Sequence, residues 1–255
     1  MRVSCASRVR RQHVRVFRSL PLAEGMLCPQ VQPVFCGSVW NAEMARMAQE
    51  VTEALDRMCV SEYLDGVRQV VPGFQGAEVL PPICVAETEV PEGFTDAIVW
   101  QTLTEGLEAG KLPADNRTLY VLFAPPGTAA AGDCASGRDI LLWHEMPLRY
   151  AWITGAITAL EQRSLRDAYT THASRELVEL CADPEGRGGV PVPDVADLND
   201  LNTQEDLGLC MDAYMHLDGF LVHTYWSESP GDRNACGDAL KEDWDFAEAS
   251  QCRGS

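Results

Sequence analysis

The segment TLYVLFAPPG, residues 118–127, constrains the fold of this chain more than any other. The residues on both faces of this segment are apolar, and the run stops at Pro125-Pro126-Gly127. This pattern predicts a strand that is buried on both sides. Segments with helix and strand patterns alternate in the first half of the chain, and strand patterns dominate later. The sequence therefore predicts the α/β class (α+β mixed), as a single domain with a mixed β-sheet.

The remaining elements follow from periodicity and from the residues that begin or end them. Strands are predicted at 30–40, on either side of Pro81-Pro82, on either side of Pro147, and at 220–226. Helices are predicted at 41–60 behind Asn41, at 61–70 behind Ser61, at 95–110 behind Thr95, and at 164–182, where Asp183-Pro184 ends the last one. Residues 186–206 are rich in Gly, Pro, Asn and Asp, which predicts a long surface loop.

Charge divides the chain into unequal parts. The net charge is −18, but residues 1–23 hold six Arg and no acid, so the remainder has 14 basic and 38 acidic residues, or −24. An acidic body repels phosphate, which predicts no nucleic-acid partner. We predict a basic, flexible N-terminal arm at 1–29, one domain at 30–237 and an acidic tail at 238–255.

The sequence points to no membrane span, because no apolar run approaches the length of about 18 residues that a spanning helix needs. The basic N-terminal piece lacks the apolar core of a signal peptide, which favours a cytoplasmic location. The ten cysteines form no CxxC pair. They are therefore either buried thiols in a reducing compartment, or they include one or two disulfides.

The segment THASRELVELCADPEG, residues 171–186, carries the candidate site. A zinc peptidase helix has the pattern HExxH, with two ligands four residues apart and a Glu general base beside the first. Here Arg175 occupies the first ligand position, Glu176 the base position and Glu179 the second ligand position. A guanidinium stays protonated and offers no lone pair to a cation. The pattern therefore indicates a peptidase-type helix and argues against peptidase chemistry.

Seven segments in order resemble one family, the exordium-like and neutral zinc metallopeptidase proteins, whose fold is zincin-like. They are VQPVFCGSVW, SEYLDGV, LPADNRTLYVLFAPPG, LWHEMPLRYAWIT, SRELVELCADPEG, EDLGLC and VHTYWSESPGDRNAC, and they are distributed over residues 30–237. The resemblance implies a single zincin-like domain with an active-site-type helix. It also implies secretion, and a disulfide between Cys210 and Cys236 in an oxidising compartment.

The chain departs from the family pattern at the site. Arg175 replaces the signature histidine, and Gly208 replaces a late aspartate, although Glu205 keeps the acid before it. His144 falls in the segment that resembles the family's Gly-Tyr-His. The departures predict a degenerate pseudo-site in which Arg175 pairs with Glu179 at i, i+4, with no cofactor.

A relocated metal site is the alternative. His172, Glu176 and Glu179 fall within about 60° on an ideal helix. They would hold zinc with His144 or Glu205, and a zinc-bound water would act in hydrolysis.

The sequence thus leaves three functions open. The first is a non-catalytic zincin-like protein that binds a peptide or protein, for which a sheet edge is the expected site. The second is an active zinc-dependent hydrolase with a relocated site at His172, Glu176 and Glu179, in which Glu176 cannot be both a zinc ligand and the catalytic base. The third is an acidic interaction module that associates through its basic arm.

Overall fold

The computed structural model of the chain describes residues 24–71, 73–85, 93–130, 135–154, 164–184 and 214–225. The helices are α1 (Ala45–Val60), α2 (Asp65–Val70), α3 (Asp96–Glu108) and α4 (Leu165–Ala182), with short 3-10 helices at Glu24–Leu27, Ser38–Asn41 and Glu62–Leu64. The strands are β1 (Gln30–Cys36), β2 (Glu78–Val79), β3 (Ile83–Val85), β4 (Gly93–Phe94), β5 (Thr118–Phe123), β6 (Ala129–Ala130), β7 (Ser136–Trp143), β8 (Met146–Ile153), β9 (Tyr214–Leu217) and β10 (Phe220–His223).

The main sheet has six strands in the order β2-β1-β5-β8-β7, with β3 also paired to β1. Strands β2 and β3 pair with the beginning and the end of β1 on the same side, and Pro81-Pro82 separates them. Strands β1, β5 and β8 are parallel, and β7 runs antiparallel at the edge. The predicted α/β class with a mixed sheet is confirmed.

Helices cover both faces of this sheet. Strand β5 is buried along its whole length, as its sequence predicts. Leu119, Val121 and Phe123 join a core with α1 and α4, on what we call the α4 side. Tyr120 and Leu122 join a second core with α3, on the α3 side. The alternation of side chains along a strand thus divides one apolar segment between two cores.

Two helices follow the sequence closely. Helix α3 begins behind Thr95, whose side-chain oxygen accepts a hydrogen bond from the N–H of Ile98. Helix α4 begins behind Ser164, whose side chain accepts from the N–H of Asp167, and it ends before Asp183. Both caps satisfy amide groups that a helix start leaves without an intrahelical partner.

Three predicted boundaries differ from the structure. Helix α1 begins at Ala45, because Ser38–Asn41 forms a 3-10 turn that buries Trp40. Strands β7 and β8 meet at His144 and Glu145, not around Pro147, which lies inside β8. Residues 24–29, assigned to the arm by sequence, belong to the folded body, since Met26 is 2% exposed and the carbonyl of Leu27 accepts from the N–H of Gln75.

Residues 1–23 and 238–255, where the arm and the tail are predicted, lie outside the described residues.

Candidate functional site

Helix α4 buries two carboxylates against the sheet. Glu176 is 3% exposed and Glu179 is 5% exposed, and both face the edge strand β7. An isolated carboxylate is strongly disfavoured at such depth, so each needs hydrogen bonds or a cation. Their partners decide what the site can do chemically.

Glu179 is held by two arginines. Arg175 lies one turn earlier on α4 and donates from Nε to Oε1 of Glu179 at 3.0 Å. Arg138, on β7, forms an ion pair through Nη1 with the other oxygen, Oε2. Each carboxylate oxygen therefore faces a guanidinium, and charge-assisted contacts of this kind are among the strongest that side chains offer to a buried acid.

Glu176 is held by a hydroxyl. Ser136, the first residue of β7, donates from Oγ to Oε1 of Glu176 at 2.6 Å. The acid at the general-base position is thus engaged on one oxygen by a side chain of the edge strand.

The register of the β7–β8 hairpin places these partners. Side chains alternate along a strand, so Ser136 and Arg138 share the face of β7 that meets α4. Gly137, between them, faces the α3 side, where Trp152 of β8 lies over it. A Cβ at Gly137 would come within 2.8 Å of the Trp152 ring, so this position requires glycine.

A tight turn fixes that register. His144 and Glu145 both have positive φ, 47° and 66°, as a two-residue turn of type I′ requires. Such a turn makes Trp143 and Met146 the closing hydrogen-bonded pair, and the pairs then alternate along the ladder. Pro147, which has no N–H, consequently falls at a pair without hydrogen bonds.

The same alternation identifies the groups at the outer edge of β7. The backbone N–H and C=O groups of Arg138, Ile140 and Leu142 point away from β8. No described strand pairs with this edge. Asp139 accepts a hydrogen bond from the N–H of Ile140 at 2.8 Å, so one outward donor is covered by the side chain of its neighbour.

Two further contacts fix the position of α4. Its C-terminal end is held by Arg149 of β8, which is 1% exposed and donates to the carbonyls of Pro184 and Asn116, each at 3.0 Å. Nearer its middle, Ser174 accepts from the N–H of His223 at 2.8 Å and donates to the carbonyl of Thr171. The Ser174 hydroxyl is therefore part of the packing between α4 and β10.

The tyrosine hydroxyls of the aromatic cluster beside Ser174 are likewise engaged in hydrogen bonds that hold the packing. Tyr63 donates its hydroxyl to the carbonyl of His223 at 2.7 Å, and Tyr225 donates to the carbonyl of Tyr63. Burial raises the pKa of the Tyr63 phenol far above its usual value, and a hydrogen bond with Ser174 offsets part of this rise. This phenol stays neutral and acts as a structural donor.

The described residues among the metal ligands considered from the sequence do not come together. Among the described residues, no three His, Cys, Asp or Glu side chains form a group that fits a metal ion. His172 is half-buried on α4, and His144 is exposed in the hairpin turn with its ring against Trp143. Glu205, Cys210 and Cys236 lie outside the described residues. The grouping of His172 with Glu176 and Glu179 is thus not found, because an arginine occupies each side of Glu179.

Sequence reasoning missed Ser136, Arg138 and Arg149. Ser136 lies in TAAAGDCASG, a run of small residues that by itself predicts a loop. The signal was a period of two across SGRDILLW, which puts a hydroxyl and a cation on one face of a strand. Arg149 gives a comparable signal, because it is the one charged residue in MPLRYAWI.

No protein-family model, curated protein or solved structure matches this chain. Within the described residues, no helix is both long and apolar enough to cross a membrane.

Proposed function

We propose that this chain is a non-catalytic, zincin-like protein that acts by binding. The observation that supports this proposal most strongly is the pair of guanidinium groups on Glu179. In the family that the sequence resembles, the corresponding acid is a zinc ligand. Here its two oxygens face Arg138 and Arg175. A metal cation at this point would have to displace one arginine and lie beside the other.

The donor set of the helix supports the same conclusion. Arg175 has no lone pair to give, and one oxygen of Glu176 receives the hydroxyl hydrogen of Ser136. Removing a metal ligand while leaving the remaining acid buried would be costly, because an unpaired buried charge loses its hydration. The two positive charges of Arg138 and Arg175 outweigh the single negative charge of Glu179, so the fold is expected to need no metal.

The outer edge of β7 supports a binding role. Its backbone groups at Arg138, Ile140 and Leu142 pair with no strand that the structure describes, and Leu142 is 47% exposed. Extended peptides commonly bind by adding a strand to an open sheet edge, with main-chain hydrogen bonds supplying affinity. We propose that an extended peptide pairs with β7 and displaces Asp139 from the Ile140 amide.

Metal content tests the first half of this proposal. Protein purified without chelators or metal affinity resins is incubated with zinc, desalted and analysed for bound metal. The wild type is expected to retain none, whereas Arg175→His, which removes a cation and adds a lone pair, is expected to retain more. About one zinc per wild-type chain, with peptide hydrolysis abolished by Glu176→Gln, would establish the active hydrolase instead.

The edge itself is tested by a matched pair of substitutions. Leu142→Pro removes one outward N–H while leaving the ladder to β8 intact, and Leu142→Ala removes the same side chain but keeps the N–H. A peptide selected from a displayed random library on the full chain should bind Leu142→Ala and lose binding to Leu142→Pro. Equal binding to both variants, or a library that yields no binder, would contradict peptide binding at β7.

A further inference from the structure

A groove lies at the opposite edge of the sheet from β7, beside β2. It has a volume of about 690 Å³ and runs between α1, the Pro81-Pro82 segment between β2 and β3, and the turn of the β9–β10 hairpin. Its lining includes Val79, Leu80 and Phe220, which are half-buried and form an apolar floor. A groove of this size is within the range that accommodates an extended ligand.

The rim of this groove is acidic. It carries Glu53, Asp56 and Asp218, all exposed, against a single cation, Arg57. Three negative charges less one positive charge leave the lining at −2. Neither Asp56 nor Asp218 forms an ion pair with any other residue that the structure describes. The rim is therefore suited to a cationic ligand.

Phe220, one of the lining residues, already contacts a guanidinium that lies outside the lining of the groove. The Cζ atom of Arg166 lies over the ring of Phe220, 5.6 Å from its centroid, and Arg166 donates to the carbonyl of Gly219 at 3.3 Å. Arginine stacks well on aromatic rings because its planar cation is weakly hydrated. The aromatic residue of the groove thus has the chemistry that arginine side chains prefer.

The chain itself contains a segment of matching chemistry. Residues 1–23 hold six Arg and no acid, interspersed with Val, Phe and Leu. The described chain starts at Glu24, and Val31, seven residues later, pairs directly with Val79 on the groove floor. Twenty-three residues span up to about 76 Å when extended, so the segment reaches the groove without difficulty.

We propose that the arginine-rich segment 1–23 docks in the groove of its own chain, with arginines on Glu53, Asp56 and Asp218 and apolar side chains on the floor. The two oppositely charged parts of the sequence are then paired within one molecule. This inference is independent of the peptide site at β7, which lies across the sheet, and either can fail alone.

Limited trypsin digestion of the full chain tests the proposal, because trypsin cleaves after arginine and docking protects those bonds. The double substitution Asp56→Asn/Asp218→Asn removes two rim charges, and because both residues are exposed it disturbs no buried contact. At low ionic strength it should raise the rate of cleavage within residues 1–23 by about threefold to tenfold, as expected for the loss of two exposed ion pairs. High salt should remove the difference between the variant and the wild type.

The matched control is Glu43→Gln/Glu108→Gln, which removes two exposed acids away from the groove and should leave the rate unchanged. Circular dichroism establishes that both variants fold. Equal cleavage rates in the wild type and the Asp56→Asn/Asp218→Asn variant would overturn the proposal. Protection that increases with protein concentration would also overturn it, since the segment would then bind a second copy.

Discussion

The two faces of the central sheet are covered by helices in different ways. On the α3 side, the described buried residues around α3 carry no charge: they are apolar and aromatic apart from the hydroxyl of Thr102, and the contact from Trp100 to the Tyr150 hydroxyl is at their border. On the α4 side, the core also contains charge. The buried charged side chains among the described residues, Arg149, Glu176 and Glu179, all lie there.

The difference shows where the fold carries a polar constraint. The apolar contacts of α3 are non-directional and tolerate small movements of the helix. The charges around α4 require fixed partners, because a buried ion that loses its partner is strongly destabilising. Helix α4 is therefore held at a defined height and rotation against β7 and β8. Such fixation would also hold β7 in place for the peptide that we propose to bind at its edge.

The largest expected effect comes from removing the cation that holds the end of α4. Arg149→Met leaves the carbonyls of Pro184 and Asn116 without their buried donor and should lower the free energy of unfolding by about 3 kcal/mol. Urea denaturation measures this loss. The exposed Arg117→Met should cost less than about 0.5 kcal/mol. A loss below about 1 kcal/mol for Arg149→Met would mean that α4 is held by apolar contacts, as α3 is.

The next effect concerns the acid between two arginines. Glu179→Gln removes the charge that Arg138 and Arg175 share, and a loss of about 2 kcal/mol is expected from denaturation. The exposed Glu105→Gln on α3 serves as the control. A double-mutant cycle with Arg138→Met should show coupling of about 1 kcal/mol. Additive losses would indicate that Arg138 does not stabilise Glu179.

A buried thiol lies on each face of the sheet, and the two are expected to affect stability equally. Burial raises the pKa of Cys36, on the α3 side, to about 12, with a smaller contribution from Cys84. Burial likewise raises the pKa of Cys59, on the α4 side, to about 12, with a smaller contribution from Asp56. In the unfolded chain a thiol ionises near pH 8.5. The stability that each buried thiol contributes by staying protonated is therefore fully present below about pH 8.5, and it is lost as the pH rises toward 12.

This loss should be about 1 kcal/mol per thiol at pH 9, measured by urea denaturation against neutral pH. Cys36→Ala and Cys59→Ala should each reduce the pH dependence by one thiol's share. If either variant keeps the full dependence of the wild type, that thiol is not protected from ionisation in the folded protein.

The smallest effect is expected at the hydroxyl on Glu176. Ser136→Ala should lower the free energy of unfolding by about 0.5 kcal/mol, because Ser136 is only half-buried and water can take its place. Ser136→Thr keeps the hydroxyl and should be neutral. A loss in Ser136→Thr equal to that in Ser136→Ala would show that packing, not the hydrogen bond, matters at this position.

Much of the architecture is readable from the sequence because local signals agree with it. Thr95 and Ser164 cap the helices they precede, and the apolar run at 118–123 predicts the fully buried β5. The start of α1 was wrong because Asn41, a good capping residue, lies in a 3-10 turn set by the burial of Trp40. Tertiary packing there overrides a local preference.

The candidate site was only half readable. The i, i+4 spacing predicts that Arg175 and Glu179 are neighbours, since both lie on one helix. The second arginine, Arg138, is 41 residues from Glu179 in sequence, and its position depends on the pairing of β7 with β8. No local pattern encodes a contact of that range. It follows instead from strand register, which single-sequence reasoning does not determine.

The turn at His144 and Glu145 consequently determines which charged side chains of β7 face α4. Counting back from it, every second residue of β7 meets α4, and the count assigns Arg138 to Glu179. A slip of one residue would bring Asp139 to that place and set a carboxylate against a carboxylate. Two exposed residues at the tip of a hairpin thus determine whether the buried helix is attracted to the sheet edge or repelled by it.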